Sequence, residues 1–70
     1  MAIVKLIELV GSSPISWEEA TKNALAEAAE TVRNITWLRV VNQTAAVRDG
    51  KIMEYRSSVK IAFRVESARD

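Results

Sequence analysis

Between Ile3 and Val10 the chain is β-branched and apolar on both faces, broken only by Lys5 and Glu8. That pattern predicts a strand covered on both sides. Gly11-Ser12-Ser13-Pro14 punctuates it. Ser16-Trp17-Glu18-Glu19 then reads as a capping box, with the Ser16 hydroxyl accepting the Glu19 N–H and the Glu19 side chain reaching back. The helix it opens is expected to run to about Asn34, carried by Ala and Glu. Its apolar stripe is small: Ala20, Ala24, Ala28 and Val32, flanked by Leu25 and Ala29 at helical spacing. Small residues let a helix lie close against a sheet. Trp17, in the first turn, is expected to pack as a staple against the preceding loop.

Thr36 to Val47 predicts a second strand and Lys51 to Glu66 a long third one, joined at Arg48-Asp49-Gly50, where Asp-Gly is a hairpin signal. The third strand alternates: Tyr55, Val59, Ile61, Phe63 and Val65, with Ser57 among them, share one face. Glu54, Arg56, Ser58, Lys60, Ala62 and Arg64 share the other. The apolar row is the one to pack the helix. By the same logic Leu38 and Val40 face the helix, while Trp37, Arg39, Val41 and Gln43 face away. Residues 1–70 thus form a single α+β domain of order strand, helix, strand, strand. One helix of about 19 residues is ~28 Å long but only ~10 Å wide. It cannot cover three strands, so the surplus sheet needs a partner, and another subunit is the natural one.

Composition sharpens that expectation. A 70-residue domain buries only about 60% of the surface its unfolded chain exposes. Such scaffolds need disulfides, a metal or association. With no Cys and no His, disulfides and thiolate or imidazole metal sites are excluded. Carboxylate-bound hard cations and oligomerisation remain, and 49% hydrophobic residues favour the second. The net charge is +1 and the pI about 8.1, with the ten cations spread along the chain, which argues against a nucleic-acid partner. The N-terminus lacks the order of a signal peptide and no stretch is long enough to span a bilayer, so a soluble, cytoplasmic protein with no membrane partner is expected. On that expectation the triplets Asn34-Ile35-Thr36 and Asn42-Gln43-Thr44 are chance matches to the glycosylation pattern.

No catalytic constellation can be written. There is no His to activate Ser12 or Ser13, Glu18, Glu19, Glu27 and Glu30 fall on exposed helical positions, and two isolated glycines make no phosphate-cradling loop. The expectation is a non-enzyme with no catalytic residue and no assigned metal ligand. What remains is the helix-free side of the sheet, where Trp37 either seals a subunit contact or offers a stacking platform for a planar ring.

Lys5-Leu6-Ile7-Glu8-Leu9-Val10-Gly11-Ser12-Ser13 resembles the opening strand and turn of the dodecins. Ala29-Glu30-Thr31-Val32-Arg33-Asn34-Ile35 running into Thr36-Trp37-Leu38-Arg39-Val40 resembles their helix exit and second strand. Tyr55-Arg56-Ser57-Ser58-Val59-Lys60-Ile61-Ala62-Phe63-Arg64-Val65 is similar to their closing strand. The resemblance spans about Val4 to Glu66 and implies a β-α-β-β subunit whose three-stranded antiparallel sheet wraps one helix. It further implies a hollow homododecamer with flavins paired at subunit contacts, each isoalloxazine stacked on a tryptophan of the second strand, which Trp37 matches. The implied role is storage, buffering and photoprotection of flavin, an electron-rich indole being placed to quench the excited ring.

There is one departure. Flavin-binding dodecins usually carry Gln directly after the Tyr-like residue of the third strand, and here that position is Arg56. A guanidinium donates five hydrogen bonds and accepts none, so it can meet flavin carbonyls or hold a phosphate bidentately, favouring FMN over riboflavin, with FAD also possible. Asn42 and Gln43 are expected as polar neighbours. Tyr-Arg at this place and the Ser-Trp-Glu helix start also resemble a dodecin subgroup associated with calcium, which lacks the stacking tryptophan. Two alternatives follow. One is a calcium-associated or purely structural shell, in which Trp37 fills an interface and Glu54 or Asp49 meets a divalent cation. The other is a single-stranded nucleic-acid binder using Trp37, Arg39 and Arg56, which the near-neutral charge disfavours.

Overall fold

The structure, a computed structural model, describes residues 2–66. Four elements follow in order: β1 (Ala2–Ser13), α1 (Trp17–Thr31), β2 (Ile35–Arg48) and β3 (Lys51–Glu66). All pairings are antiparallel and the sheet order is β1-β3-β2, with the longest strand in the centre. This is the expected β-α-β-β subunit.

β1 runs on through Gly11-Ser12-Ser13 instead of breaking there, with Gly11 opposite Ser57 and Ser13 opposite Tyr55. The glycine is needed for proximity. A methyl built on it would overlap the Ala20 carbonyl oxygen and lie 2.9 Å from Ala24 Cβ. The chain turns later, where the Ser13 hydroxyl accepts the Ile15 N–H at 2.9 Å. Ser16 then caps the helix, accepting the Glu19 N–H at 3.0 Å. Ala20, Ala24 and Ala28 form its buried stripe, as the spacing predicts, while Leu25 stays partly exposed. The helix stops at Thr31, three residues short of Asn34. Val32 is already extended, and Asn34, at φ 63°, turns the chain back into β2. Asn is among the few residues that tolerate that left-handed conformation.

The helix lies over β1 and β3 and barely reaches β2. The core is accordingly thin: Ala24, Ala28, Val59 and Ile61, with Ile7, Leu9, Ile35 and Leu38 packed against it. Trp17 does not staple the loop. Its ring meets Tyr55 edge-on, centroids 4.8 Å apart at 79°, and its Nε1 donates to the Thr44 carbonyl at 2.8 Å. It therefore ties the helix start to β2 and β3. Ser57 is fully buried on the same side, and the Thr21 hydroxyl lies 2.7 Å from it. Thr21 donates its own proton to the Trp17 carbonyl, so Ser57 is the donor between the two hydroxyls.

The β2–β3 hairpin outruns β1, which ends opposite Tyr55. Asp49 (φ 53°) and Gly50 (φ 75°) close it, the positive pair that a two-residue type I′ turn requires. The arm stretches the molecule to 56 × 19 × 13 Å, with a radius of gyration of 14.8 Å against about 11 Å for a compact chain of this length. Val47, Ile52 and Met53 near its tip are exposed.

Candidate functional site

The helix-free face of the sheet carries the candidate chemistry, and two irregularities in β2 set what it displays. The register shifts between Ile35 and Trp37, leaving Thr36 as an extra residue. Ile35 and Leu38 can then both reach the core while Trp37 turns away from it. A second shift between Val40 and Asn42 makes Val41 extra and reverses the alternation beyond it. Opposed residues in an antiparallel pair share a face. Asn42, opposite Ser58, and Thr44, opposite Arg56, therefore join Trp37. Gln43, opposite the buried Ser57, lies on the helix side. Unbroken alternation had set Gln43 beside Trp37, and the bulge at Val41 corrects that. The doublet Val40-Val41 is the one trace of it in the sequence.

Read across the strands, the face is a series of rows. Leu6, Ala62 and Trp37 form one; Glu8, Lys60 and Arg39 the next; Val10, Ser58 and Asn42 the third; Ser12, Arg56 and Thr44 the fourth. Trp37 is 48% exposed and Leu6 53%, while Ala62 between them is fully buried despite facing away from the helix. The small alanine sets a shallow floor between two apolar side chains. Val4 and Val10 extend the apolar surface along β1. β1 is thus covered on one side only within a single chain, not on both as its pattern suggests.

Arg56 is occupied: its Nε donates to the Glu54 carboxylate at 2.8 Å. It also lies far from its own Trp37. Six residues of β3 separate the two rows, about 20 Å of strand. A tricyclic ring stacked on Trp37 is too short to touch Arg56 of the same chain. A site that uses both draws them from two copies. Among the described residues no group of three or more acidic side chains converges, and no helix is long and apolar enough to cross a membrane.

The class the fold defines is a small α+β subunit of order β-α-β-β, with a half-exposed indole on a sheet face that its own helix leaves bare. The chain belongs to the dodecin family: the family's sequence profile matches residues 3–66. It is 33% identical over 69 residues to the calcium dodecin of Mycobacterium tuberculosis, covering 99% of this chain and 97% of that one. It is also 33% identical over 64 residues to a dodecin of Thermus thermophilus, covering 91% and 93%. Its fold superposes on the dodecin of Streptomyces coelicolor with a TM-score of 0.90 at 28% identity, covering 96% of each chain. On a solved structure of the mycobacterial calcium dodecin the TM-score is 0.81 at 35% identity, covering 97% of each.

Proposed function

We propose that this protein binds flavin, as riboflavin or FMN with FAD a further candidate, by stacking the isoalloxazine on Trp37 at contacts within a homododecamer. The observation that carries this reading is the half-exposed indole beside Leu6 over buried Ala62, an open apolar platform of the kind a planar ring covers. Stacking of two aromatic faces adds about 0.5–1.5 kcal/mol to the burial itself. Flavin held against an electron-rich indole is quenched when excited, so the role is storage, buffering and photoprotection in the cytoplasm, without turnover.

The site residues act from different copies. Asn42 shares the face of Trp37 and can hydrogen-bond a ring edge from two rows away. Arg56 belongs to a neighbouring copy's contribution, and its terminal nitrogens can donate to ring carbonyls while Nε stays with Glu54. Gln43, on the other side of β2, can take part only through a contact with a further copy.

A second reading has a specific observation behind it: one relative is named a calcium dodecin. Without three converging acidic groups in the described part of one chain, a cation site here would be shared between copies, with Glu54 or Asp49 as donors. Titration of flavin-stripped protein with riboflavin and FMN, following flavin fluorescence, separates the two. Deep quenching that saturates near one flavin per subunit supports stacking. Unquenched flavin, together with thermal stability that rises on adding calcium, supports the cation-linked shell.

A further inference from the structure

On its helix side the sheet carries an apolar strip that α1 leaves open, along β2 and out onto the hairpin arm. Residues opposed across a ladder share a face. Val40, opposite the buried Val59, therefore lies on the helix side, and Gln43, opposite Ser57, follows it there. A register shift between Ala46 and Val47 leaves Met53 as the extra residue of β3. Val47 and Ile52, opposite each other, thus return to the helix side together with Ala45 and Tyr55. The helix begins at Trp17, beside Tyr55, so it does not lie over Val47 and Ile52, and both are exposed. At the other end of the strip Leu25 stands four residues after Thr21, which reaches Ser57 of β3. It flanks the groove between α1 and β2, where Val40 is exposed and Leu38 half-buried.

We infer that this strip is a second interface between copies, in which the hairpin arm of one subunit lies over β2 of another, beside its helix, about a two-fold axis at Gln43. Gln43 falls between the two apolar ends, three residues after Val40 and four before Val47, about 10 and 13 Å of strand. A half-turn about that point sets the Val47–Ile52 end of each copy over the Leu38–Val40 end of the other, the self-complementary match a two-fold contact requires. The layer heights agree. Face-to-face sheets pack about 10 Å apart and a helix is about 10–12 Å across, so the arm fits alongside α1. The charges are complementary as well. Arg48 and Lys51 flank Asp49 at the arm's apex, while α1 carries Glu18, Glu19, Glu27 and Glu30 against Lys22, with no cation in its last turn. An arm laid antiparallel brings that apex towards the helix C-terminus, where cations are favoured. At the axis the two Gln43 amides meet, and an amide both donates and accepts, so it can pair with its own copy. This contact is separate from the helix-free face and does not depend on flavin.

The native protein holds no cysteine, so a single introduced thiol reports on the axis. A disulfide needs Cα atoms about 4.4–6.8 Å apart. Under mild oxidation Gln43→Cys is expected to run as a covalent dimer on non-reducing electrophoresis. Glu27→Cys is expected to stay single, being four residues after Asn23, which bonds β1, and so on the far flank of the helix. In sedimentation Val47→Asp/Ile52→Asp is expected to lower the assembled mass by about twofold or more, as loss of a two-fold contact does. A double variant that assembles to native mass gives the strip to another occupant and overturns the inference. A Gln43→Cys protein that cross-links no faster than Glu27→Cys also overturns it. Native protein that sediments as a monomer overturns this contact and the homododecamer together. Should the double variant fail to fold, the two thiol variants still decide.

Discussion

Replacing Gly11 with alanine should cost this protein far more than one added methyl suggests. The new Cβ would overlap the Ala20 carbonyl oxygen, sitting about 1 Å inside an ordinary C···O contact of about 3.3 Å, and would also press on Ala24 Cβ at 2.9 Å. No side-chain rotation can relieve this, since the obstructing atom is helix backbone and cannot turn aside. The helix must lift by about 1 Å at its N-terminal half, and a radial gap of that size forfeits a quarter to a half of each dispersion contact. Ala24 packs on Val59 and Ile61 in a core of few residues, so there is little else to compensate. Overpacking of this kind costs about 1–3 kcal/mol, and the rigid obstruction puts Gly11→Ala at about 3 kcal/mol. The assay is denaturant unfolding at fixed protein concentration, because assembly contributes to apparent stability. Ser12→Ala, next in sequence and exposed on the opposite face, is the control and should stay within about 0.5 kcal/mol of native. A Gly11→Ala protein as stable as that control would refute close helix–sheet contact as the reason for the glycine.

Three further outcomes are expected. Trp37→Ala should leave the oligomer intact in sedimentation yet weaken flavin binding at least tenfold, about 1.4 kcal/mol; an assembled variant with native affinity would remove stacking from the account. Ser16→Ala removes the acceptor of the Glu19 N–H and should lower stability by about 1 kcal/mol in the same unfolding assay. Trp17→Phe keeps the edge-on ring at Tyr55 but loses the bond to the Thr44 carbonyl, at a cost of about 1 kcal/mol that Trp17→Ala should clearly exceed.

Much of this fold is legible in the chain because local signals agree with one another. Ser16 with Glu19, the alanine stripe, Asp49-Gly50 and the alternation from Tyr55 to Val65 each name one element, and each stands where it was expected. The misreadings share a cause: the deciding contact lies far away in sequence. Gly11 looks like a turn residue until α1 is laid over it. Trp17 looks like a loop staple until β2 and β3 bring Thr44 and Tyr55 to the start of the helix to meet it. Gln43 changes face because Val41 bulges, and no glycine marks the place. On the candidate site, Trp37 stands out by type and position, while Arg39 and Lys60 become neighbours only once the register sets them opposite each other.

The packing also leaves much of the sheet uncovered within a single chain. The helix spends its short side chains on β1 and β3, leaving much of β2 uncovered on its helix side beyond Ile35 and Leu38, and all three strands bare on the other. Val4, Leu6, Val10, Trp37 and Val41 are exposed apolar residues on or beside that bare side, and contiguous apolar surface of this kind marks an interaction site. Covering it with a second helix would stabilise a monomer but would bury the indole and leave Arg39 and Lys60 facing hydrocarbon. Covering it with further copies, as the proposed function has it, leaves room for gaps between subunits, lined by the indole of one and the Arg56–Glu54 pair of another. The thin core and the bare face therefore have one cause: the fold gives up a self-sufficient interior, and on the proposed function the surface it leaves uncovered serves as both assembly contact and wall of the ligand site.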